Sequence, residues 1–187
     1  MNKTKNIFIS FLIILLFPIK SFGLIEVDIT RGNLNPLPLA VSPLSIDEKS
    51  KKSFEKLLKK KNIGIEISSI VENNLKTSGL FNPLNKDAFL QAPDIANLKP
   101  RFEDWNLIKA QALITGKVSF VDDKLRVEFR LWDVLAGKEM MALAFTTVPT
   151  NWRRVGHIIS DKIYERLTGE KGYFDTRIIY VAEEGPK

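Results

Sequence analysis

His157 is the only histidine in 187 residues, and Ser160 and Asp161 follow it three and four positions later. These are the residue types of a hydrolytic relay, in which a base activates a hydroxyl and a carboxylate orients the base. Their spacing argues against that chemistry, because residues three and four apart on one helix sit side by side without forming an oriented chain. His157 therefore reads as a surface or hydrogen-bonded residue. One His cannot build a two-His zinc site or an HExxH helix, and with no Cys the common structural zinc sets, disulfides and thiolate nucleophiles also fall away. Gly116-Lys117 and Gly137-Lys138 lack the earlier Gly of a phosphate-binding loop, and no GxGxxG follows a strand-like segment. The carboxylate pairs Glu103-Asp104, Asp122-Asp123 and Glu183-Glu184 have the types for acid and base work but read as solvated turn residues. Trp105, Trp132 and Trp152 fall near element ends and read as packing lids rather than a ligand platform. The expectation is a protein with no catalytic residues, no metal and no cofactor.

Binding is better represented. Leu24-Ile25-Glu26-Val27-Asp28-Ile29-Thr30-Arg31-Gly32 is strand-like, with Ile25, Val27 and Ile29 alternating against Glu26, Asp28 and Thr30. An unpaired strand exposes a backbone donor and acceptor at each residue, the chemistry of strand addition to a partner's sheet. Residues 1–23 read as a secretory leader: Lys3 and Lys5 precede an apolar block from Ile7 to Phe17, Pro18 ends it, and Ser21 and Gly23 are small residues at −3 and −1. That block is shorter than the roughly 20 residues of a membrane-spanning helix, although a retained N-terminal anchor is the rival reading. Removing the leader's 23 residues leaves 164, one ordinary domain by length. The net charge falls from +6 to +3 as Lys3, Lys5 and Lys20 depart, too little to imply nucleic acid despite a pI of 9.4.

The remaining elements follow from periodicity. Asn33 to Pro36 is a turn, and Leu37 to Leu44 is extended but interrupted by Pro38 and Pro43, which suggests an edge or a strand end. Ser45-Ile46-Asp47-Glu48 fits a capping box opening a helix. Lys49, Lys51, Lys52, Lys56, Lys59, Lys60 and Lys61 surround a thin apolar stripe of Phe54, Leu57 and Leu58. This stretch reads first as a solvated face; the alternative is a basic amphipathic helix meeting anionic lipid or an acidic partner at the membrane periphery. Ile63-Gly64 is expected to interrupt it before Ile67, Ile70, Val71 and Leu75 continue at helical spacing to Gly79. Pro93 to Pro100 reads as a loop, and Phe102, Trp105 and Ile108 as a short helix.

Three strands then form an antiparallel meander: Ala112–Val121, a segment in which Leu125, Val127, Phe129 and Leu131 alternate with Arg126, Glu128 and Arg130, and one carrying Met141, Leu143 and Phe145. Asp122-Asp123 and Ala136-Gly137 supply the turns. A helix beginning at Thr150 or Asn151 and stopping at Gly169 places Trp152, Val155, Ile159, Ile163 and Leu167 on one side, to pack on the meander. Thr176 to Ala182 reads as one more strand.

The order of leader, terminal strand, Leu39-Ala40-Val41-Ser42-Pro43-Leu44, Leu75-Lys76-Thr77-Ser78-Gly79-Leu80-Phe81-Asn82-Pro83-Leu84 and Leu113-Ile114-Thr115-Gly116-Lys117-Val118 resembles the N-terminal domain of the TolB family. The strongest part runs from Trp152 through Gly156-His157 and Leu167-Thr168-Gly169 to Phe174-Asp175-Thr176-Arg177-Ile178-Ile179-Tyr180-Val181. The resemblance implies an α/β fold with helices packed on a mixed sheet. It also implies a non-catalytic periplasmic adaptor of the Tol-Pal system, supporting envelope integrity and outer-membrane constriction at division. In the family the mature N-terminal segment is recognised by TolA, which assigns that role here to Leu24, Ile25, Glu26, Val27, Asp28, Ile29, Thr30, Arg31 and Gly32. Pal is contacted chiefly by a C-terminal β-propeller that would begin near Phe174; with the chain stopping at Lys187, Pal is not carried over as its partner. The expected organisation is a leader at 1–23, a partner-binding strand at 24–32, an α/β domain at 33–170 and the opening of a propeller at 171–187, in a monomer. The rival classes are a stand-alone periplasmic module touching anionic lipid through its basic helix, and an enzyme of unrecognised type.

Overall fold

The computed structural model describes residues 35–59 and 62–176. Six strands form one sheet: β1 (Leu37–Val41), β2 (Ser45–Ile46), β3 (Phe81–Pro83), β4 (Ala112–Val121), β5 (Lys124–Asp133) and β6 (Lys138–Thr147). Five helices accompany them: α1 (Glu48–Leu58), α2 (Ile63–Thr77), α3 (Pro93–Leu98), α4 (Phe102–Leu107) and α5 (Trp152–Thr168). The strand order is β3-β1-β4-β5-β6, with the short β2 also paired to β4. The sheet is mixed, as expected: β1 pairs in parallel with β3 and β4, whereas β4, β5 and β6 form the antiparallel meander. Parallel neighbours need crossovers, and α1–α2 and α3–α4 supply them.

The β4–β5 connection is a two-residue hairpin in which Asp122 and Asp123 both take positive φ, 48° and 57°, the backbone of a type I′ turn. Strict alternation along β5 puts Leu125, Val127, Phe129 and Leu131 in the core and leaves Arg126, Glu128 and Arg130 part-exposed on the other face. The pattern weakens on β6, the outer strand: Met141 and Phe145 pack against the core, but Leu143 is 39% exposed.

Each face of the sheet has its own core. Leu39, Val41, Ile114 and the β5 residues meet Ile63, Ile67, Val71 and Leu75 of α2 and Val155, Ile159, Ile163 and Leu167 of α5. On the opposite face a smaller cluster of Ala40, Leu113, Ala96, Trp105, Ala110 and Val134 lies under α3 and α4. Where α2 crosses α5, a Cβ on Gly156 would press on the Ile70 side chain, so the glycine permits the approach. Gly79 and Gly169 take φ of 75° and 76° just beyond the ends of α2 and α5, the left-handed stops that their positions suggested.

Three expectations are corrected and one is narrowed. Ser45 belongs to β2 and its hydroxyl donates to the Gly116 carbonyl; the cap of α1 is Asp47, which accepts from the Ser50 N–H at 2.8 Å. The helix break precedes Ile63-Gly64: Lys59 closes α1 with φ 54°, Asn62 caps α2, and Gly64 sits in the first turn because a Cβ there would strike the Leu44 carbonyl. β1 is interior rather than an edge, and its prolines mark strand ends, the other expected reading: Pro38 precedes the first β1–β4 pair, Leu39↔Ala112, and Pro43 lies beyond the strand. Pro93 to Leu98 is a helix rather than a loop, with Pro93 in its first turn where a missing N–H costs nothing. The strand expected from Thr176 to Ala182 falls, beyond Thr176, outside the described residues.

Candidate functional site

The residues with chemical potential on α5 are engaged in holding the fold together. The Asn74 side-chain amide, on α2, donates to Ser160 Oγ at 2.9 Å and is hydrogen-bonded with His157 Nδ1 at 2.9 Å. Ser160 in turn donates to the Gly156 carbonyl one turn back, at 2.9 Å. Asp161 faces another way: its oxygens accept the backbone N–H groups of Phe174, at 2.6 Å, and Asp175, at 3.1 Å. The three side chains thus form two separate structural contacts, a bridge between α2 and α5 and an anchor for the chain after α5.

That anchor is reinforced. Arg154 makes a two-pronged pair with Asp175 at 3.1 Å, and Tyr164 meets Tyr173 and Phe174 edge-on. Burial pushes the Tyr164 hydroxyl above its ordinary pKa. Gly172 lies against Asp161 so closely that a Cβ would strike its backbone.

The tryptophans act as lids, as expected. Trp105 is buried and donates to Gln91 Oε1 at 2.8 Å, Trp132 donates to Thr115 Oγ1 at 2.9 Å, and buried Trp152 carries the Arg153 guanidinium 4.2 Å from its ring centroid. Of the carboxylate pairs, Asp122 and Asp123 are turn residues and Asp104 is paired with Arg101 at 2.7 Å; Glu183-Glu184 lies outside the described residues. Among the described residues no group of three or more His, Cys, Asp or Glu could hold a metal. An open cleft of about 240 Å³ between β2 and α3 is lined by Asp47, Asp94, Asn97, Leu98 and Lys117. Its Asp47 carboxylate already caps α1, and the hydrogen bond from the Ser50 backbone holds its pKa below the usual range.

The expected binding segment, Leu24, Ile25, Glu26, Val27, Asp28, Ile29, Thr30, Arg31 and Gly32, lies outside the described residues. In the described sheet β1 has β3 on one side and β4 on the other. Among the described residues the open edges are those of β3, three residues long, and β6, ten residues long. Sequence reasoning missed the pairing of Asn74, in the last turn of α2, with α5, and no local signal marks it.

The architecture defines a class: an α/β domain with one mixed sheet, whose polar side chains serve packing and chain anchoring. The chain belongs to the TolB amino-terminal domain family, whose model matches residues 25–140. It is similar to the Tol-Pal system protein TolB of Pelagibacter ubique (strain HTCC1062), with 81% identity over 177 residues. That alignment covers 95% of this chain and 40% of the relative, so the chain spans well under half of its relative's length. The fold is also similar to the crystal structure of TolB from Acinetobacter baumannii, at a TM-score of 0.60 and 22% identity, covering 81% of this chain and 33% of that one. Among the described residues no helix is long and apolar enough to cross a membrane.

Proposed function

We propose that this chain is the partner-binding N-terminal part of a periplasmic, non-catalytic adaptor of the Tol-Pal system. After removal of residues 1–23, residues 24–32 bind TolA by strand addition, and the interaction supports envelope integrity and outer-membrane constriction at division. The observation that carries this reading is the 81% identity to a Tol-Pal system protein TolB across nearly the whole chain. The geometry agrees in one respect: His157, Ser160 and Asp161 are committed to structural hydrogen bonds. In this reading residues 33–170 are the carrying domain, and the segment anchored by Asp161 leads into the propeller that would contact Pal.

Backbone bonds would provide docking, and the alternation of Ile25, Val27 and Ile29 with Glu26, Asp28 and Thr30 would choose the face presented. Calorimetric titration of the chain from residue 24, against the TolA C-terminal domain, should show binding that a chain from residue 33 has lost. Equal affinity of the two forms would overturn the assignment.

A further inference from the structure

Helix α1 presents a ridge of lysines. At about 100° per residue, Lys49, Lys52 and Lys56 fall within an arc of roughly 60°, Lys59 follows at the left-handed cap of the helix, and all four are exposed. None of the four is in an ion pair among the described residues, whereas Lys51 is held by Glu48 at 3.3 Å. Phe54 lies on the opposite side, fully buried, with its ring edge-on to Phe120 at 5.3 Å. The Ser50 hydroxyl fixes the helix further, accepting from the Phe120 N–H at 2.9 Å and donating to Asp47 at 2.9 Å. The ridge is therefore held in place before any partner arrives, and binding need not pay to order it. Its flanks differ. Glu48 and Glu55 border one side, and Leu57, 55% exposed, borders the other.

We propose that this ridge docks the domain onto an anionic lipid surface, with Leu57 entering the headgroup layer beside the lysines. Two features select a membrane over an acidic protein. Every basic residue of α1 is Lys rather than Arg; lysine is a point charge on a flexible stem, suited to a diffuse anionic layer, whereas Arg provides the planar fork that recognises individual carboxylates. An exposed leucine next to a lysine row is the arrangement of a helix lying in an interface, its stems along the apolar boundary and its ammonium groups in water. In the sequence Lys60 and Lys61 follow directly, adding charge at the same end. This docking is independent of TolA binding, because it uses no residue before Asp47.

The test is co-sedimentation of the full chain with vesicles of phosphatidylcholine containing 30% phosphatidylglycerol (~0.3 mole fraction), compared with phosphatidylcholine alone. Anionic vesicles should bind it at low salt and release it as salt rises. Each lysine removed should cost about fivefold in partitioning, so K49Q/K52Q/K56Q/K59Q should lose more than about a hundredfold. Leu57→Gln should weaken binding severalfold. A charge-matched control, K76Q/K99Q/K109Q/K171Q, alters exposed lysines elsewhere and should keep most of the binding. Equal loss in the control, equal binding to neutral vesicles, or binding to poly-glutamate with none to vesicles would each overturn the proposal. Unchanged circular dichroism in both quadruple variants separates lost binding from lost folding.

Discussion

Helices α1 and α5 are both amphipathic, and they differ in what they hide. α5 buries Trp152, Val155, Ile159, Ile163 and Leu167 and joins α2 through Asn74. α1 buries only Ser50 and Phe54, and four of its other nine residues are lysine. A helix with a wide apolar stripe is a beam of the core, and its polar residues are drawn into holding neighbours. A helix pinned by one aromatic side chain and one hydroxyl has its outer face free for other work.

The sharpest way to break this comparison is to truncate one side chain within the beam. Ile163→Ala removes three buried carbons from a site with no exposure and should lower unfolding stability by about 2–5 kcal/mol in urea titration. A loss below about 1 kcal/mol would mean that α5 is not the main support of the sheet.

A smaller effect is expected at the joint between α2 and α5. Asn74→Ala removes both hydrogen bonds, to His157 and Ser160, and should cost about 1–3 kcal/mol. Asn74→Leu, close in volume and unable to hydrogen-bond, should be no better. Full stability in the Leu variant would show that packing, not the amide bridge, holds the two helices.

The beam was legible in the sequence and the bridge was not. Leu125, Val127, Phe129 and Leu131 on β5 and the Trp152-to-Leu167 stripe announce themselves because burial on one face imposes a period, and both ends of α5 carry local signals. Pro93–Leu98 misled because its six residues carry too little periodic signal to register as a helix. The prolines of β1 left an edge and a strand end both open, because a proline at a strand's start costs little once the neighbouring strand begins a residue later. Asn74 meets His157 only through tertiary contact, 83 positions away, and no local pattern encodes such a pairing. The proposed binding segment at 24–32 shows the opposite limit: its alternation states a pairing chemistry and leaves the identity of the partner to the family.

The lysine ridge predicts least for stability. Replacing Lys52 or Lys56 by Gln should change unfolding free energy by less than about 0.5 kcal/mol, because exposed side chains outside ion pairs contribute little. A larger loss from either would move α1 toward α5 in kind, as a helix whose charged face is structural.

Asp47 separates the two helices by pH, because α1 has a titrating side-chain cap whereas the residue before α5, Asn151, makes no capping bond. The Ser50 N–H lowers the Asp47 pKa below the ordinary carboxylate range, aided by the Ser50 hydroxyl and the charge of Lys117. A depressed pKa in the folded state means that the unfolded chain binds more protons as pH falls, so stability declines with acidification. The Asp47 contribution is therefore complete above roughly pH 4–5 and disappears as pH drops through the folded-state value. Asp47→Ala should cost about 1 kcal/mol at neutral pH, and this deficit should shrink as pH falls below the ordinary carboxylate range and the wild-type carboxylate is protonated. Asp47→Asn keeps a capping oxygen but cannot titrate, so it should retain most of the neutral stability and flatten this part of the pH profile. Hydrogen exchange should locate the change in Glu48–Leu58, with α5 amides unaffected; an equal loss of protection in both helices would mean that α1 is part of the same cooperative unit.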